Sequence, residues 1–94
     1  MILSYRDKAT EQFASGERVK AFSGFSDQAS RRLSILNAAV TLDTLRGLPS
    51  NHFEAMQGDR AGQYSIRINQ QWPICFNWPA GDHGPSDVEI VDYH

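Results

Sequence analysis

The chain closes on Tyr93-His94, carries two further histidines at His52 and His83, holds a single cysteine, Cys75, and places Arg60 and Arg67 in the centre of its second half. By type, these residues can move protons and hold anions. Imidazole titrates near neutrality, tyrosine and carboxylates trade protons with it, and guanidinium grips phosphate or carboxylate oxygens. On residue type alone, a terminal Tyr-His reads first as a solvent-exposed strand end. Arg60 and Arg67 fit equally well as partners of Asp59 and of the acidic last segment (Asp82, Asp87, Glu89, Asp92) or as phosphate ligands. Cys75 reads as a half-buried strand residue rather than a nucleophile, since no histidine adjoins it. His52 reads as a loop or strand-edge residue, and His83 lies in the turn-forming Gly81-Asp82-His83-Gly84-Pro85. No spacing makes a metal site, because Asp92-x-His94 supplies two ligands at most.

Whatever positions these groups must be small. Ninety-four residues and 10.6 kDa leave room for one domain (1–94) with one modest core. Hydrophobic residues at 40% and charged residues at 21% are ordinary for a globular protein. A net charge of −2 and a pI near 5.8 exclude a protein that coats nucleic acid by charge, so any such contact must be local. One cysteine excludes an internal disulfide, and no apolar run is long enough to cross a membrane. The opening Met1-Ile2-Leu3-Ser4-Tyr5-Arg6-Asp7 turns polar too soon for a signal peptide, so the expectation is a cytoplasmic protein with no membrane contact.

The spacing of apolar residues predicts helices first and strands after, an α+β arrangement with an N-terminal strand and two helices on one face of a small antiparallel sheet. Ile2-Leu3-Ser4-Tyr5 should form the first strand, Asp7 should cap a helix over residues 8–15, and Gly16 should end it in the left-handed region. Ser26 should cap the clearest helix, whose stripe is Ala29, Leu33, Leu36 and Val40, widened by Ile35 and Ala39. Residues 41–46 should add a helical turn, stopped by Gly47 and Pro49. Strands are then expected around Phe53 and Met56 and over residues 63–68, 72–78 and 88–93.

In the central pair, Tyr64, Ile66 and Ile68 alternate with Ser65, Arg67 and Asn69, and Trp72, Ile74, Phe76 and Trp78 alternate with Pro73, Cys75 and Asn77. Both apolar faces can meet one helix layer only if the loop is odd, as Asn69-Gln70-Gln71 would be. That register sets Ile68 opposite Trp72, Ile66 opposite Ile74 and Arg67 opposite Pro73. It leaves the face with Arg67, Pro73 and Cys75 uncovered, and makes Trp72, Phe76 and Trp78 core rather than base-stacking residues. A proline in a central strand is unusual, because it cannot donate to the ladder.

The stretch from Gly58-Asp59-Arg60 through Tyr64-Ser65-Ile66-Arg67-Ile68-Asn69 to Trp72-Pro73-Ile74-Cys75-Phe76, together with the closing Val91-Asp92-Tyr93-His94, resembles the HigB family of toxin endonucleases in the RelE-like superfamily. The resemblance covers nearly the whole chain. It implies a RelE-like fold and cleavage of messenger RNA in the decoding site of the 70S ribosome without a metal or other cofactor. It also implies neutralisation by a helix-turn-helix antitoxin, HigA, through which the pair would reach operator DNA.

Such cleavage needs the 2′-hydroxyl deprotonated, the phosphorane charge stabilised and the 5′-oxygen protonated. The resemblance assigns acid/base work to His94 and positioning or proton transfer to Tyr93; Arg67, on the face expected to be open, is the candidate for the scissile phosphate, and Arg60, just before the strand, for a neighbouring one. Two departures matter. Where some members have Leu-His-Pro-Leu-Lys-Gly, this chain has Phe53-Glu54-Ala55-Met56-Gln57-Gly58, which leaves Glu54 as the candidate general base. Members typically carry an active-site arginine after the tryptophan, where this chain has Pro73, one base change away. The expectation is an attenuated toxin. The alternative is a catalytically weak chain that binds its antitoxin and tunes repression of its own operon, and a small RNA-binding or interaction domain of this fold is the third reading.

Overall fold

A computed structural model of the chain describes residues 1–92. Its helices are α1 (Lys8–Ala14), α2 (Ser26–Ala38) and α3 (Leu42–Arg46), and its strands are β1 (Glu54–Ala55), β2 (Gln63–Arg67), β3 (Pro73–Asn77) and β4 (Ser86–Ile90). The strands form one antiparallel sheet in the order β1-β2-β3-β4. Helices precede strands, so every layer contact is between early and late parts of the chain. Ala29, Leu33 and Leu36 of α2 and Phe22 and Phe25 before it share one core with Ile66, Ile74, Phe76, Trp78, Val88 and Ile90 of the sheet half. This is the expected α+β layout.

Local chemistry sets most element ends. Asp7 stands extended at the cap position of α1, though its side chain makes no capping bond, and Gly16 takes φ 98° just past the helix, as a left-handed stop requires. Thr41 caps α3, its hydroxyl oxygen accepting from the Thr44 amide at 3.3 Å. Ser26 does not cap α2. A 3-10 turn over Lys20–Phe25 runs straight into the helix, so Phe25 holds the cap position and Ser26 is already helical. Val40 leaves the predicted stripe and is 73% exposed, because Ala39 turns extended (ψ 134°) and ends the helical spacing.

The expected N-terminal strand is reduced to one parallel bridge, Tyr5 to Val88. Asp87 is the physical reason: its φ of 50° marks an irregularity in β4 opposite Cys75 to Asn77, which breaks the repeat a longer ladder needs. The segment is still fastened. Leu3 donates to the Pro85 carbonyl (2.8 Å), Val88 to Ser4 (3.1 Å) and Arg6 to Val88 (3.0 Å). Ile90 donates to the buried Thr10 hydroxyl at 3.0 Å, tying α1 to β4.

The central hairpin has the register that the alternation requires: Ile66 pairs with Ile74, Arg67 with Pro73, and Ile68 donates to the Trp72 carbonyl at 3.0 Å. Asn69 holds the odd loop, its side-chain oxygen accepting from the amides of Gln71 and Trp72, both at 2.9 Å. Phe76 and Trp78 lie in the core, while Trp72 packs half-buried against Phe25 with ring centroids 4.9 Å apart.

Candidate active site

Residues paired directly across antiparallel strands share a face, so Glu54, Ser65, Cys75 and Glu89 form one row across all the strands of the sheet. Arg67 and Pro73 stand beside that row, on the face away from the core. This face is not uncovered, contrary to the sequence expectation: Ser65, Pro73 and Cys75 are buried, Cys75 to 1% exposure. Arg60 is one cause. Its guanidinium donates from one nitrogen to Gln63 of β2 at 3.1 Å and to Glu89 of β4 at 2.8 Å. Those strands lie about 10 Å apart with β3 between them, so the side chain bridges the sheet above Cys75. Arg6 approaches the same carboxylate at 3.8 Å. Burial raises the Cys75 thiol above its ordinary pKa, with Arg60 pulling the other way and Glu89 adding to the rise. The thiol is therefore held as a neutral packing residue.

Arg60 is thus engaged with Glu89, whose side chain is 16% exposed, while its own remains 36% exposed. Arg67 is placed differently. Among the described residues it has no side-chain hydrogen bond or salt bridge, and it lines a shallow hollow together with His52, Glu54, Ser65, Asn69, Gln70 and Pro73. The hollow encloses only about 20 Å³. That is the scale of one water or one phosphoryl oxygen, and far too little for a base. A cation, a carboxylate and an imidazole therefore line the rim of one small hollow, and none of the three is neutralised by a side-chain partner among the described residues.

Pro73 is the first residue of β3, where a proline is tolerated. Val91 donates to its carbonyl at 3.0 Å, and the reciprocal bond towards Val91 cannot form without an N–H. Beyond Val91, the Gln71 side chain donates to Asp92 at 2.9 Å. Tyr93 and His94 lie outside the described residues. The structure thus brings Glu54, Arg67 and Pro73 together and adds His52, which sequence reasoning passed over. No sequence signal marked it, because His52 lies just before the strand, in a left-handed turn that the period of two does not reach. Among the described residues, no three His, Cys, Asp or Glu side chains converge as a metal site would need, and no helix is long and apolar enough to cross a membrane.

Several known proteins resemble this chain. The profile of the family described as the RelE-like toxin of type II toxin-antitoxin system HigB matches residues 3–94. The chain is 36% identical over 83 residues to Toxin HigB-1 of Vibrio cholerae serotype O1, which spans 86% of this chain and 87% of that one. An uncharacterised protein of Haemophilus influenzae is 33% identical over 49 residues, 52% of this chain and 48% of its own. Among solved structures, the YoeB/ParE toxin from Agrobacterium tumefaciens superposes with a TM-score of 0.60 over 99% of this chain and 98% of its own, at 10% identity, a likeness of fold. With a profile match over nearly its full length and a relative of equal span, the chain belongs to the HigB family of RelE-like toxins of type II toxin-antitoxin systems.

Proposed function

We propose that the chain is a metal-independent endoribonuclease that cuts messenger RNA on the translating ribosome and so inhibits translation. The observation that carries this reading is Arg67, a cation without a side-chain partner among the described residues, lining with the Glu54 carboxylate a hollow that admits a single phosphoryl oxygen. In-line attack by the 2′-oxygen on phosphorus expels the 5′-oxygen and leaves a cyclic phosphate. Arg67 holds the phosphorane oxygens as their charge grows. Glu54 works on the 2′-hydroxyl side, His94 supplies the proton to the 5′-oxygen, and Tyr93 positions the scissile group. Arg60 keeps Glu89 in place and offers its exposed edge to a neighbouring phosphate.

The ribosome enters through the family resemblance. A net charge of −2 agrees with it, since a chain without a broadly basic surface gains little from capturing RNA by charge alone. The partner that restrains it is a HigA-like helix-turn-helix antitoxin, and operator DNA is reached only through that partner. Pro73 favours a second reading, a weakened toxin that serves mainly as antitoxin-binding co-repressor, because the residue facing Arg67 brings neither charge nor donor.

Deleting Tyr93 and His94 tests the assignment of the proton steps. In a Pro73→Arg background, primer extension on translating ribosomes should lose its cut sites while the melting temperature stays within a few degrees, since end residues seldom anchor a core. Unchanged cleavage after the deletion would place the acid elsewhere.

A further inference from the structure

We infer that His52 is a catalytic residue, the group that takes the proton from the 2′-hydroxyl, with Glu54 steadying the imidazolium that forms. This rests on the endonuclease reading and deepens it. Three observations lead there, beginning with the backbone. His52 sits at φ 47° and ψ 51°, in the left-handed region, at the end of the short 3-10 turn Pro49–Asn51. Non-glycine residues are uncommon there, and the strain persists only where the surroundings fix it.

The surroundings do fix it, from both sides. Asn51 is completely buried, donates to the Leu45 carbonyl at 3.0 Å and accepts from Arg32 at 3.1 Å. Phe53 stacks on Tyr64 with centroids 5.5 Å apart, and the Arg46 guanidinium lies 5.0 Å over its ring. An exposed side chain is therefore held between two anchored neighbours, which is how a proton carrier is kept aimed without being buried.

The third observation is what His52 is aimed at. It lines the same hollow as Arg67 and Glu54, and has no side-chain hydrogen bond among the described residues. The charged groups around it are Glu54 on its own segment and Arg67 from β2; Arg32 from α2 reaches the adjacent Asn51, and the hairpin loop contributes the uncharged Asn69 and Gln70. An imidazole is better matched to neutral pH as a base than a carboxylate, and a neighbouring carboxylate favours the protonated product. The proton passes from the 2′-hydroxyl to an imidazole nitrogen as the 2′-oxygen bonds to phosphorus. The bond to the 5′-oxygen breaks as that atom gains its own proton from the acid, and the imidazolium later loses its proton to solvent. No electron is transferred to or from any other species.

The test is single-turnover messenger RNA cleavage on ribosomes across the neutral pH range, for the full chain and for His52→Asn and His52→Gly, in both the Pro73 and Pro73→Arg forms. Asparagine and glycine both accept the left-handed backbone, so folding should survive in each. The parent rate should rise with pH across this range, as general-base catalysis requires. Either substitution should lower the rate about a hundredfold and remove that limb without changing ribosome affinity, and free imidazole should restore part of the rate to His52→Gly. Parent-like rates and an unchanged pH limb in both variants overturn the role of His52 and leave the endonuclease reading intact. Absence of cleavage from both parents removes that reading, and the role of His52 with it.

Discussion

Arg67 and Pro73 face one another across the hairpin at the rim of the hollow, and on the proposed mechanism what stands at position 73 sets how much positive charge meets the phosphorane. Pro73→Arg should raise growth arrest and ribosome-dependent cleavage at least tenfold, about 1.4 kcal/mol of transition-state stabilisation. The same change returns an amide N–H opposite Val91 and should add about 1 kcal/mol of stability through the missing ladder bond. Pro73→Gln separates the two effects, because it regains the donor without the charge. The expected order is the arginine variant well above the glutamine variant, with the latter close to the parent. Equal cleavage by the parent and by Pro73→Arg would put position 73 outside the working site. Residue by residue, chemistry at the paired positions could be read from the alternation of Ser65, Arg67, Pro73 and Cys75, since a period of two assigns faces. The pairing of Arg60 with the acidic last segment was one of its two expected roles and is what forms, but the choice of Glu89 is made only by the folding of β4 against β3.

At the level of elements, the site is held by the join between α3 and β1 as much as by the sheet. Asn51 is the fastening there, buried among apolar neighbours with both ends of its amide bonded. Asn51→Ala should destabilise the fold by about 1 to 3 kcal/mol, read as a lower urea midpoint at unchanged m-value, because it strands the Leu45 carbonyl and the Arg32 donor. A loss below about 0.3 kcal/mol would mean the turn is fixed by something else. The helix α2 and the hairpin were legible because each repeats its own period over many residues and Asn69 supplies recognisable turn chemistry. Where one residue interrupts a period, sequence reading failed: Asp87 breaks the ladder that would have made residues 2–5 a strand, and Ala39 takes Val40 off the helix stripe. The left-handed turn at His52 escaped notice because histidine announces it far less plainly than glycine or asparagine would.

For the molecule as a whole, the fold offers a small sheet with one face against the helices and, on the other, a hollow that has room for one phosphoryl oxygen and none for a base. On the proposed reading, selection falls to the ribosome that presents the message and restraint to the antitoxin. One measurement tests this most directly: primer extension on a defined message incubated with the chain, once as naked transcript and once on translating ribosomes, with and without a HigA-like partner. The account predicts cuts that appear only on ribosomes, weakly for the Pro73 chain and at least tenfold more strongly for Pro73→Arg, and that vanish when the partner is added. Equal cutting of naked transcript, or no cutting by either form, would contradict it.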